Sequence, residues 1–409
     1  MSQIKAIRAI EILDSRGNPT IEVTVFAKGG RGTASVPSGA STGQHEALEL
    51  RDHTKRYRGL GVQKAIDNIH YHIAPKLTGT ECTRQREVDY LMTELDKTAN
   101  KRKLGANAIL AVSLACAAAA ADCENKNLFQ YLNSLLPIKK KMVLPRGYFN
   151  IINGGQHADN SLSFQEFMIV PRMNLFKENL RAASEIYHKL KEVLHNQYGK
   201  GAVNVGDEGG FAPVKLNRAA EALEMLNKAI SKAGYAGRVG IAIDAAASEF
   251  YKKGKYLVDG KLMAKEKLLA YYLELIKKYP IVSLEDPFHQ DDFTAFAELT
   301  KAVNIQIVGD DLTVTNKDRL EKAIINKSAN CLLLKVNQIG TLTEALDAAY
   351  LAFKNDWKVM VSHRSGETED SFIADLAVGL GCGQIKSGAP CRGERTAKYN
   401  QLLRIEKIL

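Results

Sequence analysis

The chain has 409 residues, of which 45% are hydrophobic and 25% charged. These values are typical of a globular protein, and the length allows one large barrel together with a smaller domain. Six cysteines without a CxxC pair argue against a disulfide scaffold or a zinc knuckle. The apolar run over residues 104–122 is alanine-rich and includes Asn107 and Ser113, so it predicts a buried helix and not a membrane span. Residues 1–19 lack an apolar core of signal-peptide length, and we expect a cytoplasmic protein.

The chain is basic, with a formal net charge of +10 and a pI of about 9.1. These values suit a nucleic-acid partner or an anionic substrate. The basic residues are mostly scattered along helical segments, however. The one compact run, Lys139–Lys141, lies in an expected interdomain linker, and no zinc-finger, RNP or helix-turn-helix signature accompanies it. A solvated basic surface is the favoured interpretation, and no motif indicates a nucleic-acid or cell-surface partner.

The first third of the chain predicts an α+β domain spanning residues 1–136. Residues 4–37 have the pattern of strands, because IEVTVFA alternates and the turn AKGGRGT would reverse it into TASVP. We expect a charged helix over HEALELRD, residues 45–52, and further helices over VQKAIDNIHYHIAPKL and REVDYLMTELDK. Four apolar side chains of VQKAIDNIHYHIAPKL share one face: Val62, Ile66, Ile69 and Ile73.

Residues 137–409 change character and predict a barrel of parallel strands. Short apolar runs alternate with helical segments about every 25–40 residues, as in the βα units of a (β/α)8 barrel. The runs are VGIAID, IVSLED, IQIVGDD, CLLLKVN, KVMVSHRS and GQIKSG. Continuous apolar strands of this kind are typical of a parallel sheet covered by helices. An open doubly wound sheet would give the same alternation, but no GxGxxG or GxxxxGKS/T motif follows any run.

Acidic residues end three successive runs, at the edge where a barrel carries its active site. These residues are Asp244, Glu285 and Asp310. A single acid at a strand end commonly caps the next helix. Three in succession favour a hard divalent cation such as Mg²⁺. Asp286 and Asp311 follow directly, and we expect them to support these ligands or to cap helices.

The next three runs end in basic and polar residues. Arg364 and Ser365, preceded by His363, would hold a phosphate or carboxylate through a planar fork and a hydroxyl. Lys335 and Lys386 face the same space. Mutual repulsion and a nearby cation would favour a neutral amine, so either lysine is a candidate general base. The alternative for each lysine is a salt bridge to the carboxylates.

Two further segments join this group. VNVGDEGGFAP places Asp207 and Glu208 next to glycines, which indicates close approach of the backbone to a ligand, although an acid there could also cap a helix. NIINGGQHADNSLSFQEFMIVP places His157 after a Gly-Gly turn, with Gln165 and Glu166 ahead of a strand. A lone histidine is more often structural, and the neighbouring Gln-Glu pair favours a functional one.

At this point long stretches of the chain resemble the enolase family. The resemblance runs through DSRGNPTIEV, SGASTG, KLGANAILAVSLA, NIINGGQHADN, FQEFMI, GDEGGFAP, LEDPF, GDDLTVTN, LLLKVNQIGT, VSHRSGETEDSFIADLAVGL and IKSGAPCRGERTAKYNQLLRIE. It implies a lyase of glycolysis that reversibly dehydrates 2-phosphoglycerate to phosphoenolpyruvate and requires Mg²⁺. The implied fold is an α+β domain followed by a modified (β/α)8 barrel that begins ββαα and continues as (βα)6.

The resemblance implies two Mg²⁺ ions per active site. Asp244, Glu285 and Asp310 would bind the first. Ser41, in the SGASTG segment, would bind the second, which arrives with the substrate. This segment contains no acid or base, and its glycines together with the implied role predict a lid loop that closes over the site.

The resemblance also implies the catalytic and substrate-binding roles. Lys335 would remove the C2 proton. Glu208, assisted by Glu166 and next to His157, would protonate the departing C3 hydroxyl. Gln165 and Lys386 would contact the substrate carboxylate or its metals, and Arg364 and Ser365 would bind the phosphate. His157 and His363 would line the pocket. The remaining substrate contacts would come from Glu166, Glu285, Asp310 and Lys335.

Family members are usually dimeric, with octamers in some, so a homodimer is expected. The lead-in RGYFNIINGG and the residues Lys97 and Arg102 depart from the common family pattern, at no proposed catalytic position. Three alternatives remain: a relative acting on another carboxylate substrate, a Schiff-base aldolase using Lys335, and a non-catalytic scaffold with a basic binding face. The phosphate-binding motif and SGASTG count against the first, and the carboxylate trio counts against the second.

Overall fold

A computed structural model describes residues 2–40, 43–138 and 140–409. Ser41, predicted as a metal ligand in the SGASTG segment, lies outside the described residues. So does Lys139, the first residue of the basic run in the expected linker.

The N-terminal region consists of a three-stranded antiparallel sheet and a group of helices. Its strands pair in the order β1–β2–β3, and their bounds are Ile4–Leu13, Pro19–Ala27 and Gly30–Ser35. Its helices are α1 Gln63–Asn68, α2 Ala74–Leu77, α3 Gln85–Asp96, α4 Ala106–Cys123 and α5 Leu128–Ser134. The hairpin signalled by AKGGRGT is therefore confirmed, as are the helices over residues 63–77 and 85–96.

Helix α1 continues into α2 through a π-helical turn at Ile69–Ile73. Pro75 lies just after this turn and has no backbone N–H. The wider turn accommodates the proline, so the helical segment continues through it. The predicted apolar face is confirmed, because all four of its members are buried: Val62, Ile66, Ile69 and Ile73.

The central helix α4 packs directly on β3. A Cβ atom added at Gly32 would lie 2.0 Å from the backbone nitrogen of Ala119, so only glycine permits this approach. Helix α4 is also long and apolar enough to cross a membrane by length and composition, but 83% of that window is buried inside the protein. This burial agrees with the prediction of a core helix.

The predicted helix over residues 45–52 is wrong. These residues form no helix, because their backbone groups bond to other segments: Ala47 N–H donates to the Gln338 carbonyl and Leu48 N–H to the Asn100 carbonyl, each over 2.8 Å. The carboxylate of Asp52 accepts bonds from two backbone N–H groups at the start of α1. Tertiary hydrogen bonds thus replace the helical ones that the composition favours.

Eight strands form a closed barrel. Their bounds are β4 Arg146–Asn153, β5 Glu166–Pro171, β6 Val239–Asp244, β10 Ile281–Glu285, β11 Gln306–Gly309, β12 Cys331–Leu334, β13 Lys358–Ser362 and β14 Gln384–Lys386. Strand β5 is antiparallel to both neighbours, β4 and β6, and the remaining pairs are parallel. A small sheet of β7 Tyr251–Lys252, β8 Lys255–Val258 and β9 Lys261–Met263 follows β6.

Helices cover the barrel from outside. They are α6 Phe176–Tyr198, α7 Ala219–Lys232, α8 Lys265–Lys278, α9 Phe293–Ala302, α10 Lys317–Ile325, α11 Val336–Ile339, α12 Leu342–Lys354, α13 Phe372–Gly379 and α14 Gly393–Ile405. Two strands and two long helices come first, and strands and helices then alternate, which confirms the modified ββαα(βα)6 barrel. The strands are apolar on both faces because side chains such as Met168, Leu333 and Met360 fill the interior.

Candidate active site

Barrel register places three carboxylates side by side. Asp244 at the end of β6 is paired with Glu285 at the end of β10 on one side and with Glu166 at the start of β5 on the other. Because β5 is antiparallel, its first residue lies at the same rim as the last residues of its neighbours. All three residues are at most 3% exposed.

Lys386, at the end of β14, reaches into this trio across the barrel. Its Nζ lies 3.0 Å from Asp244 Oδ2, 2.8 Å from Glu285 Oε1 and 3.1 Å from Glu166 Oε2. A fourth carboxylate, Asp310 after β11, lies 2.5 Å from the Nζ of Lys335, which follows β12. Sequence reasoning grouped these residues by position alone, and the structure brings them together.

Both lysines are held as cations by these carboxylates. Burial acts to lower the pKa of Lys335, but the charge of Asp310 outweighs it and the pKa is raised. The pKa of Lys386 is raised well above its usual value because Asp244, Glu166 and Glu285 likewise outweigh burial. The sequence predicted a neutral lysine, and the structure shows the salt-bridged alternative for both lysines.

A second acidic group surrounds His157, just after β4. Its Nδ1 lies 3.4 Å from Glu208 Oε1 and 3.6 Å from Glu166 Oε1. The other Glu208 oxygen accepts a 3.0 Å hydrogen bond from the side-chain amide of Asn150 and lies 3.3 Å from His363 Nε2. Glu208 thus stands between two imidazoles and an amide.

The two glutamates of this group titrate as a pair. Burial and the nearby charge of Glu208 raise the pKa of Glu166 well above its usual value. Burial opposes ionisation of Glu208 too, but His363 and His157 outweigh it and hold its pKa well below the usual value. Of the two acids, Glu166 is therefore the one that holds a proton more readily, and Glu208 the one that ionises more readily.

Arg364, after β13, presents its guanidinium to the same space. Its Nη1 and Nη2 donate to the two carboxylate oxygens of Glu46 over 2.8 and 3.2 Å, and its Nη1 also donates to Asn337 Oδ1 over 3.1 Å. The fork therefore already binds a planar anion in the geometry expected of a phosphate or carboxylate clamp. Ser365 Oγ accepts a 2.6 Å bond from the Ala40 N–H, at the edge of the SGASTG segment.

Both described flanks of SGASTG rest on the barrel rim. Ser38 forms a β-bridge with Gly366 on one side. On the other, a Cβ at Gly43 would lie 2.9 Å from Val314 Cγ1 and 3.1 Å from Asp311 Oδ1. The two described flanks thus lie against the loops that follow β13 and β11.

Asp286 supports the rim, as expected of a residue next to the predicted ligands. The Asp286 carboxylate accepts backbone N–H bonds from Asp310 over 3.0 Å and from Asp311 over 2.6 Å, and so fixes the turn that carries Asp310. Asp207 contributes its carbonyl oxygen, which accepts a 3.1 Å bond from Arg395.

Several residues around one small cavity of about 10 Å³ leave polar atoms for a ligand. Among the described residues, the buried Gln165 Oε1 and Glu285 Oε2 have no hydrogen-bond partner. Groups of possible ligand atoms close enough to bind one ion also occur at Asp286, Asp310 and Asp311, and at His157, Glu166 and Glu208. The cavity is lined by His157, Gln165, Glu166, Glu208, Lys335, Ser362, His363, Arg364, Ser365 and Lys386.

Four supporting residues were missed by sequence reasoning: Glu46, Asn150, Gln338 and Arg395. Gln338 Nε2 donates to Asp310 Oδ1 over 2.8 Å. Arg395 is fully buried and binds the His363 ring. Its helical spacing offered a signal, because it shares the inward stripe of α14 with apolar Leu402 and Ile405.

The fold and the site together define a class. Acids and lysines converge at the C-terminal rim of a barrel, where such folds carry catalysis. One lysine is paired with a single carboxylate, and two buried glutamates, Glu166 and Glu208, lie in the same cavity. The chain is thus a barrel enzyme equipped for proton transfer beside a carboxylate-rich site.

The comparisons with known proteins give the family. Residues 4–132 match the family description "Enolase, N-terminal domain", and residues 141–409 match "Enolase, C-terminal TIM barrel domain". The protein named "Enolase" of Methanocaldococcus jannaschii is 59% identical over 409 residues, covering 100% of this chain and 96% of that protein. The "Enolase" of Thermococcus gammatolerans is 56% identical over 100% of this chain and 95% of its own length. The chain belongs to the enolase family and is a lyase.

Proposed function

We propose that this protein reversibly dehydrates 2-phosphoglycerate to phosphoenolpyruvate with Mg²⁺, using Lys335 as base and Glu208 as acid. One observation carries the proposal: a single cavity is lined by a lysine paired with one carboxylate and by two buried glutamates, Glu166 and Glu208, that both face His157. A β-elimination needs both partners, a base for the C2 proton and an acid for the departing hydroxyl.

Lys335 takes the C2 proton from the substrate. In the protein alone its amine is bound to Asp310 and held protonated. When Asp310 binds a cation, that carboxylate no longer stabilises the ammonium to the same degree, and the fraction of neutral amine rises. Gln338 holds the second Asp310 oxygen and so keeps the carboxylate oriented throughout.

Glu208 delivers a proton to the C3 hydroxyl as it leaves. Asn150 donates a hydrogen bond to its carboxyl group, His157 and His363 lie within 3.4 Å of it, and Glu166 is the neighbouring acid that is more readily protonated. His157 Nδ1 lies 3.6 Å from Glu166 Oε1 and 3.4 Å from Glu208 Oε1, so the imidazole lies between the two acids. This arrangement supports the assisting role of Glu166.

Asp244, Glu285 and Asp310 would hold the first Mg²⁺. They fit a hard cation because they are buried carboxylates on neighbouring strands, with one Glu285 oxygen free of hydrogen bonds. When bound, magnesium supplies positive charge to the substrate carboxylate as its C2 proton is removed. Lys386, which contacts the metal ligand Asp244, would also stabilise the substrate carboxylate. The carbonyl oxygen of the Gln165 side chain has no hydrogen-bond partner and would contact the same carboxylate or its metals. We assign the second ion to the hydroxyl of Ser41 by resemblance alone.

Arg364 and Ser365 would bind the phosphate. The present Glu46 contact supports this role, because a group that clamps one carboxylate in a bidentate manner can clamp a phosphate in the same way. Glu46 would then give up the fork when the substrate enters.

We further propose a homodimer, and a domain boundary between residues 136 and 137. The resemblance supports the first. The change from helix α5 to the first barrel strand supports the second, because residues 140–145 form neither helix nor strand.

One assay tests the proposed reaction. Purified protein is mixed with 2-phosphoglycerate, and the ultraviolet absorbance of phosphoenolpyruvate is followed with Mg²⁺ and with a chelator. We expect absorbance to grow with the metal and to stop with the chelator. Folded protein that gives no metal-dependent signal would rule the reaction out.

A further inference from the structure

Arg395 is an unusual residue for a protein core. Its side chain is 0% exposed, and it lies on helix α14, which faces the loop that follows β13. A guanidinium away from water is costly unless its N–H groups find acceptors. The acceptors it finds all belong to the walls of the active site.

These acceptors are one imidazole nitrogen and three carbonyl oxygens. Nη1 lies 2.6 Å from His363 Nδ1 and donates to the Arg364 carbonyl over 2.6 Å. Nη2 donates to the carbonyls of Ser365, over 2.5 Å, and of Asp207, over 3.1 Å. One side chain therefore ties the β13 loop to the segment that carries Glu208.

The contact with His363 determines its tautomer. A guanidinium has only N–H donors and no acceptor, so Nδ1 of His363 must be the acceptor and carries no proton. The ring is then neutral, and its single proton is on Nε2. Nε2 is the ring nitrogen that faces Glu208: it lies 3.3 Å from Glu208 Oε2, although the two atoms do not form a hydrogen bond in this structure.

We propose that Arg395 is a positioning residue that fixes the Nε2–H tautomer of His363 and thereby orients Glu208. This inference rests on the proposed function insofar as it gives Glu208 the role of acid. Without the Arg395 donor, Nδ1 could bear the proton, and an unprotonated Nε2 would face Glu208. Glu208 would then face the lone pair of His363 Nε2, which repels a carboxylate, and no longer an N–H group.

The electrostatics agree with a neutral ring. Burial, together with the nearby Arg395 charge, lowers the pKa of His363 to about 4, although Glu208 opposes this shift. An imidazolium would have to point an N–H at the guanidinium. His363 is therefore a neutral ring at neutral pH, with its protonated nitrogen 3.3 Å from Glu208, and not a proton carrier.

Lys398 provides a matched comparison on the same helix. It lies one turn beyond Arg395, is 1% exposed, and donates to Glu367 Oε2 over 2.9 Å and to the Thr368 carbonyl over 2.5 Å. Glu367 in turn accepts the Arg364 N–H over 3.2 Å. Lys398 thus supports the same loop, but it bonds to the loop's later residues and not to the imidazole.

The test is the histidine tautomer, read by two-bond ¹H–¹⁵N correlation spectra of full-length protein with ¹⁵N-labelled histidine. His363→Gln assigns the resonance. We expect a pure Nε2–H tautomer in the wild type and in Lys398→Met, and a mixture or the Nδ1–H form in Arg395→Met. Arg395→Lys keeps the positive charge and can still donate one hydrogen bond to Nδ1, so it should show more of the Nε2–H tautomer than Arg395→Met does.

Kinetics complete the test. We expect Arg395→Met to lower kcat by about 100-fold with a smaller change in KM, because a misoriented acid affects the chemical step. An Nδ1–H or mixed tautomer in the wild type would overturn the inference, even if Arg395→Met does not fold. So would an unchanged tautomer in folded Arg395→Met. If the tautomers behave as expected but the wild type does not convert 2-phosphoglycerate, the proposed function fails and the tautomer assignment stands.

Discussion

At the scale of single residues, the site is a set of opposed charges held out of water. Lys386 lies within 3.1 Å of three carboxyl groups that would otherwise repel one another, and Lys335 pairs with a fourth. Each lysine side chain depends on carboxylates delivered by other strands. The chemistry of any one residue is thus set by its neighbours.

The Arg364 fork leads to a prediction about substrate binding. Arg364→Lys keeps the charge but replaces two parallel donors by one point charge. We expect kcat/KM for 2-phosphoglycerate to fall about 10- to 100-fold, the effect of losing one charge-assisted hydrogen bond. Steady-state kinetics would measure it. Arg404→Lys, at an exposed position of α14, is the control and should leave kcat/KM unchanged; equal losses in both variants would contradict the clamp.

Asp375 gives a prediction about pH. This carboxyl group in the first turn of α13 is 4% exposed, and burial raises its pKa to about 6, although the Gln401 side chain opposes the shift. Between about pH 4 and 6 the folded protein therefore binds more protons than the unfolded chain. The free energy of unfolding should fall as the pH rises through this window, by about 3 kcal/mol from this group.

Asp375→Asn tests the pH prediction. The amide does not titrate but can still accept the Gln401 hydrogen bond. The free energy of unfolding is measured in urea at several pH values for both proteins. The value for Asp375→Asn should rise relative to that of the wild type as the pH rises from about 4 to 7. A constant difference between the two proteins across that range would refute the buried-acid interpretation.

At the scale of elements, strand ends and turns decide which side chains meet. The antiparallel β5 brings Glu166 to the rim that the parallel strands supply from the other direction. Asp286 fixes the turn after β11 through two backbone bonds. Strands thus carry Glu166, Asp244, Glu285 and Lys386. The loops supply the remaining site residues: Asp310, Lys335, Glu208, the histidines and Arg364.

The contact between β3 and α4 leads to a stability prediction. Gly32→Val would force a side chain into the backbone of α4, where a Cβ already meets Ala119 N at 2.0 Å. We expect a loss of about 3 kcal/mol or more in the free energy of unfolding, at the upper end of overpacking effects. Gly201→Ala, where a Cβ meets nothing within 4 Å, is the control in the same denaturation experiment. A loss below about 1 kcal/mol at Gly32 would contradict the close approach.

Much of the fold and most of the site could be predicted at this scale. The alternation of apolar runs and helices revealed the barrel, and polar residues at the run ends revealed the acids and lysines. The helix predicted over residues 45–52 does not form, although their composition favours one. Their backbone N–H groups instead bond to the carbonyls of Gln338 and Asn100, which are distant in sequence. Glu46 and Arg395 were missed for the same reason, since their roles depend on tertiary contacts with Arg364 and His363.

At the scale of the whole molecule, the two regions share one site. The N-terminal region contributes Glu46 and the SGASTG flanks, and the barrel contributes the acids, lysines and the phosphate fork. Several backbone bonds join them, such as Ser38 N–H to the Gly366 carbonyl over 2.8 Å. Access to the cavity therefore depends on how the N-terminal region lies on the barrel rim.

Metal binding should stabilise the whole molecule. A ligand that binds only the folded chain raises the free energy of unfolding by about 2.7 kcal/mol at one hundred times its Kd. We expect Mg²⁺ to raise the Tm of the wild type above that measured with a chelator. Glu285→Gln should lose most of this increase, whereas Glu369→Gln, outside the cavity, should retain it. Equal increases in both variants would mean that the ion binds elsewhere.

The central claim is that Lys335 and Glu208 act on different protons of one substrate. Exchange of the C2 hydrogen of 2-phosphoglycerate with solvent deuterium, measured by NMR beside phosphoenolpyruvate formation, separates the two roles. The account predicts that Lys335→Ala loses both exchange and dehydration, and that Glu208→Gln keeps exchange while dehydration falls by about two to four orders of magnitude. Undiminished exchange in Lys335→Ala, or full turnover in Glu208→Gln, would contradict it.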